Sequence, residues 1–134
     1  AFRASAIRRN LALTAVGRRN FEQAKYQLNR VESGRLGAKK RVTMLVEATI
    51  TAAGSSWERW EEAFSRVERA AEQSDGVEVD EPWTAEIAAE IAGEAGEVAH
   101  ATRALVFAAR AWEQLGRTDR VDTCEQRLQT LGTR

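Results

Sequence analysis

The sequence predicts an all-α fold. Residues 1–134 read as a single domain of antiparallel helical hairpins stacked into an α-solenoid, about seven helices with the last acting as a lid. Three observations carry this. Apolar residues recur at three- and four-residue spacing almost throughout. No alternating strand pattern competes, and Pro82 is the sole proline. Finally, one pattern is written three times: "NFEQAKYQLNRV" from Asn20, "RWEEAFSRVERA" from Arg59 and "EVAHATRALVFA" from Glu97. Each holds an apolar residue, a small one three further on, and apolar residues four and seven beyond that. The sets are Phe21, Ala24, Leu28 and Val31; Trp60, Ala63, Val67 and Ala70; and Val98, Ala101, Leu105 and Ala108. They begin 39 and then 38 residues apart, a period typical of helical repeats.

The first helix carries Phe2, Ile7, Leu11, Ala15 and Val16 on one stripe and ends near Gly17. Asn20, with Gln23 three residues on, has the capping-box pattern, so a second helix runs from Phe21 to Val31. "SGRLG", Ser33 to Gly37, is a turn. The third helix buries Ala38, Val42, Leu45, Val46, Thr49, Ile50 and Ala53 and stops at Gly54. Ser55 with Glu58 supplies the next cap, and the fourth helix extends to about Gln73. The acidic stretch from Ser74 to Trp83 is irregular and delivers Pro82 where a helix can begin. Trp83, Ile87, Ile91 and Ala95 define the fifth helix, which a turn at Gly93–Gly96 ends. Val98, Ala101, Leu105, Ala108, Trp112 and Leu115 define the sixth, which stops at Gly116. Thr118 caps the seventh, with Val121, Cys124, Leu128 and Leu131 facing inward. The hairpins therefore span about 1–33, 36–73 and 82–115, and the terminal helix 118–131. No hairpin alone can cover its apolar stripe, but stacking covers it.

These residues resemble tetratricopeptide repeats (TPR). "FEQA" at Phe21–Ala24 and "WEEA" at Trp60–Ala63 are similar to that family's second-helix opening, an aromatic followed by a close-packed alanine. The periods are longer than the family's 34 residues, the closing proline is missing and the third copy lacks the aromatic. The stretch Ile91–Arg117, with its "AGE" turn, alanine-rich helix and "W…LGR" ending, is similar to repeat regions appended to bacterial serine/threonine protein kinases and related signalling proteins. The resemblance implies a right-handed solenoid with first helices lining a concave face. It also implies a non-catalytic protein-interaction or scaffolding module, with any catalysis elsewhere in a longer chain. On that face the exposed candidates for partner binding are Arg9, Lys39 and Arg41 at a basic end, and Glu86 and Glu90 at an acidic end. The Lys/Asn constellation of peptide-carboxylate-clamping arrays is not recognisable.

Charge separates into blocks although the net is zero. Residues 1–41 sum to +9, residues 42–100 to −11 and residues 101–134 to +2. Glu86, Glu90 and Glu94 line one helix face at four-residue spacing, a solvated face or a stripe awaiting cations. Because the first and third hairpins of a stacked array do not touch, that pairing is expected between molecules. Salt-sensitive head-to-tail self-association follows as an expectation. The basic block also permits nucleic-acid binding, but it carries no recognised motif for it. A ligand-sensing regulatory domain is a further alternative.

Little points to chemistry. Glu97 and His100 have the Glu-x-x-His spacing of carboxylate-bridged metal sites, but His100 is the sole histidine and such sites need two of these motifs. Cys124 lies on an apolar stripe with no base beside it, so it reads as core. Trp60, Trp83 and Trp112 read as core as well, and Trp57 as partly exposed at its helix start. An enzyme with a diffuse acidic site at Glu86, Glu90 or Glu97 lacks a paired base or nucleophile. No cofactor or metal is expected. With no signal peptide, no membrane-length apolar run and one cysteine, the expected setting is cytoplasmic.

Overall fold

The computed structural model describes residues 2–30, 40–73 and 76–132. Seven α-helices and no strands occur among them: α1 (Phe2–Gly17), α2 (Phe21–Leu28), α3 (Lys40–Ala53), α4 (Trp57–Glu72), α5 (Asp80–Glu94), α6 (Val98–Gln114) and α7 (Thr118–Gly132). The expected turn at 33–37 lies outside the described residues. Helices α1 and α2, α3 and α4, and α5 and α6 pair as hairpins, and α7 covers α6. The first helices α1, α3 and α5 also contact one another and form an inner layer.

One turn geometry joins the helices at four places. A residue in the left-handed region closes the preceding helix: Arg19 (φ 60°), Ser55 (φ 59°), Gly96 (φ 80°) and Gly116 (φ 74°). In each turn that residue's N–H reaches back three residues, as Ser55 does to the Ala52 carbonyl at 3.0 Å. The next N–H reaches back five: Asn20 to Ala15 (2.8 Å), Ser56 to Thr51 (3.0 Å), Glu97 to Ala92 (2.8 Å) and Arg117 to Trp112 (2.9 Å). This pair of hydrogen bonds satisfies carbonyls that a helix end otherwise leaves unpaired. The Asn20 side chain then accepts from the Gln23 N–H at 3.2 Å, as its capping pattern predicts.

That turn corrects the register of the second repeat. Ser56, not Ser55, is the cap, so α4 begins at Trp57. Phe21, Trp57 and Val98 are the equivalent first residues of α2, α4 and α6. Ala24, Trp60 and Ala101 then occupy the same inward position, and all three are fully buried, whereas Ala63 is partly exposed. An indole thus stands in α4 where its neighbours place a methyl. It stacks on Phe64, with ring centroids 4.7 Å apart.

Two further stripes differ from expectation. On α1 the buried face is Ala12, Leu13, Ala15 and Val16, while Ile7 and Leu11 are about half exposed. The cause is that α1 packs on α2, α3 and α5 together, which rotates its inward side. On α5, Thr84, Ala85, Ala88, Ala89, Ile91 and Ala92 are buried because α1, α3 and α6 surround the helix, whereas Trp83 is exposed at its edge. Its ring lies over Gly17, where an added Cβ would sit 2.9 Å from the indole. Pro82 is the third residue of α5, within the first turn, where its missing N–H leaves no helical bond unmade.

Candidate partner-binding groove

Three of the five residues expected on an exposed binding face are buried. Arg9 is 5% exposed, Arg41 7% and Glu86 7%. Lys39 lies outside the described residues. Glu90 is exposed but sits 3.6 Å from Arg19, which also reaches Glu94 at 3.3 Å. First and third hairpins therefore do touch, and part of the charge matching expected between molecules is satisfied inside one.

The buried charges hold helices together. Arg41 on α3 donates to Glu81 on α5 through Nε at 2.6 Å and a terminal nitrogen at 3.2 Å. It also donates to the Ala70 and Gly76 carbonyls, while Glu81 accepts from the Glu78 N–H at 2.6 Å. One ion pair thus secures both sides of the α4–α5 connection. Glu86 accepts from Trp112 Nε1 (2.8 Å), Arg120 (2.7 Å) and Arg127 (3.0 Å), tying α6 and α7 to α5. Cys124 is buried on the inward face of α7, and burial, reinforced by the Glu86 charge, pushes its thiol up to about 11.

Neighbouring second helices meet in two seams, and the seams differ. Between α4 and α6 the seam is closed by side chains. Arg103 donates to Glu68 (2.6 Å), Ser65 (2.8 Å) and Glu61, and lies over the rings of Trp60 and Phe64. The Glu68 hydrogen bonds hold its guanidinium above the ordinary arginine range. His100 stands 3.1 Å from both Glu97 and Glu61 and stacks on the half-buried Trp57 at 5.3 Å. The Glu-x-x-His pair therefore bridges helices; among the described residues no group of three or more His, Cys, Asp or Glu is placed to hold a metal.

Between α2 and α4 the seam is open among the described residues. A groove of about 580 Å³ runs there, floored by α3 and reached from α4 by Arg59, within the size range of ligand sites. Phe21, Leu28, Ile50 and Ala53 give it an apolar lining, and Glu22, Lys25, Glu47 and Arg59 add charges. Thr43 also lines it, and among the described residues its buried hydroxyl has no hydrogen-bond partner. Counting from each helix start explains the difference. His100, third in α6, meets Glu61, fifth in α4. Third in α4 is Arg59 and fifth in α2 is Lys25, two like charges in place of an attractive pair. Glu62, where α6 carries Arg103, bonds instead to Arg66 of its own helix at 2.8 Å.

A second cavity of about 380 Å³ lies among α4, α6 and the start of α5, lined by Phe107, Val106 and Arg110 above the Arg41–Glu81 pair. Its most buried polar groups already bond to one another. Neither Lys25 nor Arg59 stood out in the sequence, because their relation depends on the α4 register that the Ser55 turn sets. Compared with family models, curated proteins and solved structures, the chain matches none. No helix among the described residues is long and apolar enough to cross a membrane.

Proposed function

We propose that this chain is a non-catalytic protein-interaction module of TPR-like kind, with its partner seated in the groove between α2 and α4. The observation that carries the reading is the contrast between equivalent seams: one is filled by the chain's own side chains, and the next is open over an apolar lining. A partner segment laid in the open seam buries Phe21, Leu28 and Ile50 as Arg103 covers Trp60 and Phe64 next door. The likeness of Ile91–Arg117 to kinase-appended repeats extends the proposal to a regulatory part of a cytoplasmic signalling protein.

The test is selection from a random-peptide library on immobilised protein, in parallel with an Ala53→Trp variant that fills the groove. Matched circular dichroism and melting curves establish that the variant is folded. Peptides enriched on the wild type and lost on the variant are the expected result. Equal enrichment on both, or none on either, rejects the groove.

The 380 Å³ cavity favours a second reading, a ligand-sensing regulatory domain. A small-molecule thermal-shift screen tests it, since a ligand that binds only the folded state raises the melting temperature.

A further inference from the structure

We infer that the segment seated in the α2–α4 groove is acidic, pairing an Asp or Glu side chain with an apolar anchor, and that its carboxylate lies between Lys25 and Arg59. The inference rests on the interaction-module reading and adds to it the chemistry of the partner.

Repeat equivalence supplies the argument. In the closed seam, the fifth residue of α4 is Glu61, which receives both His100 and Arg103. In the open seam the corresponding residue is Lys25, and by the same count Arg59 takes the place of His100; both line the groove. Both are exposed, and among the described residues neither has a carboxylate within ion-pair distance. Two cations lining one groove repel each other, and the repulsion strengthens as water leaves. An incoming carboxylate converts it into two attractions and takes the part that Glu61 plays next door. The apolar lining formed by Leu28 and Ile50 lies beside this position and receives the anchor.

The other charges of the groove narrow the choice. Glu22 and Glu47 line it too, so the cationic character is confined to the place where Lys25 and Arg59 stand. A single carboxylate is matched by these cations, whereas the continuous phosphates of a nucleic acid would meet both glutamates. The groove lies over α3, between α2 and the start of α4.

The experiment uses fluorescence anisotropy with two peptide pools. One pool of random 12-mers fixes a single Asp or Glu three or four residues from a single Leu or Phe; the other replaces the acid by Asn or Gln. Labelled poly-U RNA is the third probe, and sizing chromatography of the protein alone is run beside them. The acidic pool is expected to bind about 10-fold more tightly than its amide counterpart. Arg59→Glu and Lys25→Glu should each abolish that difference, and both side chains are exposed, so folding should survive. Arg59→Lys retains the preference. Equal binding of both pools overturns the inference while leaving the interaction module standing. Binding of RNA with both pools silent overturns it in favour of a polyanion site. Concentration-dependent self-association abolished by Arg59→Glu, again with both pools silent, overturns it in favour of a second copy. Silence of every probe, with the library selection also empty, removes the interaction module itself.

Discussion

Arg41 illustrates how a residue that looks like a binding site becomes a structural bolt. Its position in a basic block suggested a surface cation, yet Glu81, forty residues later and fully buried, meets it across α3 and α5. No local pattern announces a pair at that separation. Breaking it leaves a charge stranded in the interior, so Arg41→Met should cost about 3–5 kcal/mol. The Arg41→Met/Glu81→Gln double variant should cost clearly less than the sum of the two singles. Urea denaturation midpoints measure all three; strict additivity would mean that the two groups do not act as a pair. Cys124 gives a second prediction at this scale. Its folded thiol is raised to about 11, whereas an unfolded cysteine titrates near pH ~8.5, so between those values the unfolded state holds fewer protons. The resulting stability is complete below the unfolded value and declines as pH rises above it. Melting temperatures of the wild type should therefore fall more between pH 8.5 and 10.5 than those of Cys124→Ala. Parallel curves for the two proteins would show that burial of the thiol does not govern the loss.

At the scale of elements, the four repeated turns explain both what the sequence made legible and where it misled. Helix ends at Gly17, Gly54 and Gly116 were readable because glycine and a following polar cap are local signals. The start of α4 was not, because its left-handed residue is Ser55, which reads as a cap rather than as a helix stop. The apparent repeat accordingly opened three residues late, at Trp60 in place of Trp57, since either aromatic can open the pattern. The stripes of α1 and α5 were misread for another reason. A helix touched on several sides has no single apolar face, and which side is covered depends on partners distant in sequence. The same dependence hid the groove, whose two cations lie thirty-four residues apart. Backbone strain at the turns can be measured directly. A left-handed conformation costs a residue with a side chain about 1–2 kcal/mol, and glycine's extra freedom when unfolded offsets part of that. Ser55→Gly should therefore stabilise the protein by about 0.5–1 kcal/mol, and Gly96→Ala should destabilise it by a similar amount. Thermal melts of the two variants should shift in opposite directions; a shared sign would mean that the turns are not equivalent.

For the whole molecule, stability is distributed along the stack instead of residing in one centre. Among the described residues two apolar clusters form, one from α1, α2 and α3 and a larger one from α3 to α7, with Phe21 and Ile87 packed against both. Cooperativity between them runs through α3 and α5, which lie against helices on either side. Helix α7 occupies a different position, since it packs on α6 at one end of the array. Its fixing points are Cys124 and Leu131, which are buried, Val121 and Leu128, which pack against the same core, and Arg120 and Arg127, which converge on Glu86. Glu86→Gln removes the charge that both arginines share with Trp112, about 2 kcal/mol by the usual worth of hydrogen bonds to a charged group. Because an end unit can detach while the remaining hairpins stay stacked, the loss should appear first as local opening. Native-state hydrogen exchange should then show amides of residues 118–132 losing protection about 30-fold, while those of α3 and α5 change little. If all helices lost protection equally, α7 would be an integral part of one cooperative unit, and the lid would be a lid in topology only.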